Sequence, residues 1–127
     1  MAQRDEVRLA LPADPQFVQL ARVTASGMAS RLGFTYDEVE DLRLALDELC
    51  FVLIGSSGRA GHVDLSYAMA DGALVIEGVG HFGDDDSHRA LAPFSEQILP
   101  ALVDDYELFR DDQGRPCFRL RKRRSRS

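Results

Sequence analysis

The side chains that could do chemistry in this sequence fall into a few groups. Glu48 is the carboxylate that most invites a catalytic reading. It lies in TYDEVEDLRLALDELCFVLIG, residues 35–55, beside Glu40, Asp41, Arg43 and Asp47. Taken alone, that acidic set reads as the solvated face of a core helix. His81, Asp84, Asp85, Asp86 and His88 sit close enough in sequence to suggest a metal. They lack any helical or Cys-x-x-Cys ligand spacing, so a solvated acidic loop is the reading and no metal is expected. Ser87 and Ser95 have no spaced base and orienting carboxylate for nucleophilic work. His62 reads as a strand-edge or loop residue. Cys50 and Cys117 are isolated, and Cys50, beside the apolar stripe of its helix, reads as a buried inert thiol.

The elements that would position these groups follow from local pattern. Glu6 to Leu11 alternates Val7, Leu9 and Leu11 as a first strand. Asp14 then Pro15 starts a helix running to about Leu32, with Phe17, Ala21, Ala25, Met28 and Leu32 on its apolar face and Gly33 closing it. Thr35 with Glu38 reads as a capping box opening the next helix. Val39, Leu42, Leu46, Leu49 and Leu53 form its buried stripe, widened by Ala45 and Val52, and Gly55 ends it. Val63, Leu65 and Tyr67, the turn at Asp71-Gly72, and Leu74 to Ile76 make a β-hairpin. Residues 78–83 and the aspartates after them read as an irregular loop. A third helix is expected from Phe94 to Val103, with Ser95 as N-cap and Pro100 kinking or delaying it. A last hairpin, Tyr106–Arg110 and Pro116–Arg121, turns about residues 111–114. Asp104 and Asp105 either oppose the helix dipole, marking a partner contact, or already belong to the following turn. The order is β-α-α-β-β-α-β-β, a two-layer α/β sandwich with a mixed, mostly antiparallel sheet and helices on one face.

Bulk properties bound the function. At 127 residues and 45% hydrophobic content the chain is long enough for one domain with one core. It has no apolar run long enough to span a membrane, and its first residues do not read as a signal peptide. A reducing, cytoplasmic setting is expected. Residues 119–126 hold six of the 15 basic residues and no acidic one, leaving a body at −12 and a tail at +6 within the overall −6. An acidic body repels nucleic acid and attracts basic proteins. The tail could touch nucleic acid, but it is read as a solvated, disordered end. The domain is therefore set at residues 1–121 and the tail at 122–127.

ARVTASGMASRLGFTYDEVEDLRLALDEL resembles the first two helices of bacterial anti-sigma factors of the GHKL ATPase superfamily, the serine-kinase branch. ILPALVDDYELFRDDQGRPCFRLRKR is similar to the last helix and final hairpin of that family. The resemblance implies a GHKL-type α/β sandwich and three nucleotide-site motifs, each of which is altered here. The first is a glutamate base followed four positions later by a magnesium-holding asparagine. Glu48 matches the base, but Val52 stands at the asparagine and cannot ligate a hard cation. The second, Asp-x-Gly-x-Gly, falls on Gly78, Gly80 and Phe82, so only the middle glycine is kept. A one-residue slip offers Glu77 as the acid but loses both glycines to Val79 and His81. The third, a glycine pair opening a phosphate-cradling helix, falls on Pro93 and Ser95. Between the last two motifs only ten residues, Gly83 to Ala92, remain of the family's long lid, three of them consecutive aspartates.

The resemblance thus implies an anti-sigma factor that holds a sigma factor and is released by an anti-anti-sigma protein, with no ATP or magnesium cofactor and no kinase activity. The alternatives are a working serine kinase that binds ATP and magnesium, supported by Glu48 and Gly80, or a small-ligand sensor using a vacated pocket lined by Val52 and Phe82. Arg22, within "ARVT", falls on the family's partner surface, where it could pair with a partner carboxylate; otherwise it is an ordinary solvated charge. A homodimer is implied by the resemblance, and neither membrane nor direct nucleic-acid binding is expected.

Overall fold

The computed structural model describes residues 6–83 and 93–125. Strand β1, Glu6–Pro12, leads through a 3₁₀ turn at Pro15–Phe17 into helices α1, Val18–Arg31, and α2, Tyr36–Ile54. The hairpin β2, Gly61–Ala70, and β3, Ala73–Phe82, follows, then α3, Pro93–Leu102, and the hairpin β4, Asp105–Arg110, and β5, Pro116–Arg123.

The five strands lie in the order β1-β2-β3-β5-β4. Every pairing is antiparallel, so the mixed sheet expected from sequence is wholly antiparallel. The reason is topological. A helical crossover from β3 to β4 leaves those two strands running the same way, but β5 returns between them.

One face of the sheet and the helices share the core. Val63, Leu65, Tyr67, Leu74, Ile76, Phe118 and Leu120 meet Ala21, Ala25 and Met28 of α1, the stripe from Val39 to Ile54 on α2, and Leu99 of α3. Alternation along the strands sends the other side chains outward, where Arg119 lies 3.6 Å from Glu77 and 3.5 Å from Glu107. The one polar atom carried deep into the core by Tyr67 is satisfied, since its hydroxyl donates to the Ala21 carbonyl at 2.9 Å. Burial pushes that phenol well above its ordinary pKa.

Helix starts follow the sequence signals. Asp14 accepts from the Gln16 amide at 3.1 Å. Thr35 and Glu38 form the reciprocal capping box, at 2.7 and 3.1 Å. The chain turns at Asp71-Gly72 with φ of 52° and 76°, the left-handed pair that matches strand twist in a tight hairpin.

Three expectations are corrected. Residues 78–82 continue β3 rather than forming a loop, paired to β2 throughout and to β5 as far as Val79. Ser95 is not an N-cap: α3 begins at Pro93, whose missing N–H costs nothing in a first turn. Pro100 lies on an exposed side of the same helix, which still reaches Leu102. The boundary at residue 121 cuts through β5. Lys122 is buried with Nζ donating to the Leu102 carbonyl at 2.6 Å, Arg123 N–H donates to Asp104 at 2.6 Å, and Arg124 donates to the Leu32 carbonyl at 2.6 Å. The Ser125 amide donates to Glu38 at 2.8 Å. The basic run is thus spent on the domain itself through residue 125, and Asp104 with Asp105 belongs to the turn and strand after α3.

Candidate functional site

α2 carries the acid that the site is built around. Its stripe of leucines fixes the helix against the sheet, which turns Glu48 sideways toward α3. There Ser95, a residue only 5% exposed, donates its hydroxyl to the Glu48 carboxylate. One turn on, Val52 is half-buried and offers no oxygen.

Gly78 and Gly80 face the helices from β3, and each lacks a side chain for a visible reason. A Cβ on Gly78 would meet the Phe118 ring at 2.4 Å. One on Gly80 would meet the Phe82 ring at 2.3 Å, because that ring folds back along its own strand. Phe82 packs on the edge of the core, and the Arg59 guanidinium covers its other side at 4.0 Å from the ring centroid. Arg59 in turn donates to the Leu53 carbonyl at the end of α2, at 3.2 Å. Pro93 and Ser95 stand in the first turn of α3, Pro93 exposed and Ser95 engaged with Glu48.

Arg22 reaches across from α1 to Asp47 on α2, with Nε 3.3 Å from one carboxylate oxygen and Nη1 3.4 Å from the other. The closer contact is an ion pair without hydrogen-bond alignment, since Arg22 Nε and Asp47 Oδ1 are buried and make no hydrogen bond. Burial raises the Asp47 carboxyl above its ordinary pKa; Arg22 and Arg43 pull it down and Glu48 pushes it further up. Arg22 also borders two concavities on the helical layer. One is lined by Gln19, Val23, Ser26 and Arg43 among others, the second by Val18, Asp47, Glu48 and Phe51 among others.

Three contacts escape a reading of the sequence: Ser95 on Glu48, Asp47 on Arg22, and a cluster of His62, Asp64 and His81 on the outer sheet face. The last was recoverable, since His62 and His81 stand equally far from the Asp71-Gly72 turn and must face each other. Asp84, Asp85, Asp86 and His88 lie outside the described residues, as does the shortened lid segment after Gly83. Cys50 is buried and its thiol is pushed up to about 12 by burial first and Asp47 second. No helix among the described residues is long and apolar enough to cross a membrane.

No protein-family model matches the chain. Comparison with curated proteins finds the serine-protein kinase RsbW of Bacillus subtilis (strain 168), 32% identical over 97 residues, 72% of this chain and 61% of that protein. Over that span the chain is similar to RsbW. The serine-protein kinase RsbW of Listeria monocytogenes serotype 4a (strain HCC23) aligns further, 26% identical over 128 residues, 85% of this chain and 82% of that protein. The crystal structure of the RsbU and RsbW domains of Rv1364c from Mycobacterium tuberculosis superposes on 99% of this RsbW-like chain and 34% of that one, with a TM-score of 0.71 and 18% identity. That likeness establishes the RsbW-type α/β fold. The match to the Bacillus subtilis protein spans about three fifths of that relative's length.

Proposed function

We propose that this RsbW-like chain is an anti-sigma factor that sequesters a sigma factor, yields it to an anti-anti-sigma protein competing for overlapping surface, and does so without kinase activity. The observation that carries the loss of chemistry is the Ser95 hydroxyl on Glu48. A base must reach the proton of the attacking hydroxyl or water, and here one oxygen of its carboxylate is turned to Ser95, on the helix that the resemblance makes the phosphate cradle. Val52 in place of a magnesium ligand and the Phe82 ring against Gly80 support the same reading.

The binding surface fits the helical layer. Leu20 and Val23 on α1 and Leu44 and Phe51 on α2 are exposed, which suits a protein partner. The Arg22–Asp47 pair lies between the two helices, so Arg22 would greet a partner carboxylate by exchanging one for another. The chain's net charge of −6 favours a basic partner. A cytoplasmic homodimer without a bound cofactor completes the proposal.

A second reading has specific support. The relatives are named serine-protein kinases, and by the family resemblance Glu48 would stand at the base position. On that reading Ser95 releases Glu48 when ATP and magnesium bind, and the chain phosphorylates its antagonist on serine. Capture of partners from the native host with tagged protein, followed by incubation with labelled ATP, separates the two. Recovery of a sigma factor with no label on any co-purified protein supports the proposal. Label on serine of a captured antagonist establishes the kinase. Recovery of membrane or metabolic proteins alone removes both.

A further inference from the structure

The face of the sheet turned away from the helices carries a second constellation, independent of the nucleotide site. His62 on β2 and His81 on β3 are direct cross-strand partners. Asp64 lies two residues beyond His62, on the same face because strand side chains alternate. Gly61 helps set this register: with φ of 118° it brings its backbone so near β3 that a Cβ would lie 2.1 Å from the His81 carbonyl oxygen. The two imidazoles stack with centroids 4.6 Å apart and planes 8° from parallel. Both Nε2 atoms address one carboxylate, His81 at 2.9 Å and His62 at 3.5 Å.

We propose that His62, Asp64 and His81 bind a divalent transition cation of the zinc class. A tetrahedral zinc with bonds of about 2.0–2.1 Å holds its ligand atoms about 3.4 Å apart. His81 Nε2 stands 2.9 Å from Asp64 Oδ2 and His62 Nε2 3.5 Å from Oδ1, so each imidazole lies near that edge length from one oxygen, and a small turn of the carboxylate lets a single oxygen serve both. All three donor atoms lie within 4.8 Å of one another, so the remaining edge closes by tilting two ring tips together. Two imidazoles and a carboxylate suit zinc and its neighbours rather than magnesium or calcium, which demand oxygen. The side chains of His62 and Asp64 are 49% exposed and that of His81 is 27% exposed, so the ion has an entry path and room for a water as fourth ligand.

One neighbour opposes the ion. Arg115 Nη1 lies 3.5 Å from His81 Nδ1, the nitrogen that must carry the proton once Nε2 ligates. Arg115 is held nearby by Asp111, its Nε 2.6 Å from the carboxylate. Two donors then face each other, so removing the arginine head should tighten binding.

The test is calorimetric titration of the full chain with Zn2+, together with the visible spectrum of the Co2+ form. One-to-one binding is expected, with the intense bands of a four-coordinate Co2+ site. His62→Ala, His81→Ala and Asp64→Ala should each weaken Zn2+ by at least tenfold, and Arg115→Ala should strengthen it. Histidine ring resonances of the unaltered protein supply a readout that needs no variant: two rings should shift on stoichiometric Zn2+. No binding at millimolar Zn2+, or an affinity unchanged in both histidine variants, overturns the proposal. So does a shift of histidine resonances that His62→Gln and His81→Gln leave in place.

Discussion

Placing a methyl group on Gly78 tests whether the glycines of β3 serve packing. The ring atoms of Phe118 would stand 2.4, 2.8 and 3.0 Å from the new carbon, and Phe118 is fully buried, with no exposed side to move toward. Overpacking of that kind costs about 1–3 kcal/mol. Against it stands a gain of about 0.4–1 kcal/mol from restricting the unfolded chain, so Gly78→Ala should lose about 1–2 kcal/mol net. For a domain of this size that is roughly 4–8 °C in Tm. Gly80→Ala provides the contrast. Its clash is as short, 2.3 Å, but with the half-buried Phe82, which can swing out at the expense of the Arg59 contact, worth about 0.5–1 kcal/mol. Its net cost should be under about 1 kcal/mol. Thermal and urea unfolding of both variants, with Phe118→Leu added to Gly78→Ala, reads these values. The smaller side chain should recover part of the loss. A Gly78→Ala protein as stable as the parent, or less affected than Gly80→Ala, would refute the packing argument.

Ser95→Ala should destabilise by about 1.5–3 kcal/mol, the range for a hydrogen bond to a charged group; a change below about 0.5 kcal/mol in unfolding free energy would mean the contact is idle. Ending the chain after Arg121 should cost at least about 3 kcal/mol, because it removes the Lys122, Arg123 and Arg124 bonds. A Tm equal to that of the full chain would contradict the docked tail. Acid titration of stability has a definite sign. Asp111 is held below its ordinary pKa by the Arg115 backbone N–H first, then, against a small burial penalty, by the Arg115 side chain and the Gln113 amide. Burial pushes Glu38 up but is outweighed by donors from Thr35 and Ser125. A depressed carboxyl contributes stability above its unfolded value, about pH 4, that is lost as pH falls through the folded value. Asp47, raised by burial, works the other way and favours the fold as pH falls. Asp111→Asn should therefore flatten the loss of stability below about pH 4, and an unchanged slope in denaturant midpoints between pH 2 and 7 would contradict this.

Much of the fold was legible because its signals are local. The capping box at Thr35 and Glu38, the leucine stripe of α2 and the Asp71-Gly72 turn each fix an element within a few residues. The run at 78–82 misread as loop because glycine in a strand weakens it unless something fills the space. What fills it, Phe118 and Phe82, is settled by register across the sheet, and Phe118 lies forty residues away in the chain. The tail misread for a related reason. A basic run looks solvated until the carbonyls of Leu32 and Leu102 and the carboxylate of Asp104 are brought beside it. At the site, it was the family resemblance that singled out Glu48, Val52 and the two glycines. Ser95 was read as a helix cap from local pattern and as a phosphate-cradle position from the resemblance, and only the packing of α3 on α2 gives it to Glu48.

Calorimetric titration of the full chain with ATP and magnesium bears most directly on the proposal that this RsbW-like scaffold grips proteins without nucleotide chemistry. With Ser95 on Glu48 and Phe82 against Gly80, no saturable heat should appear up to about 1 mM nucleotide, a bound of roughly 4 kcal/mol on any binding free energy. Micromolar affinity that Glu48→Ala or Val52→Asn alters would contradict it and establish a working nucleotide site.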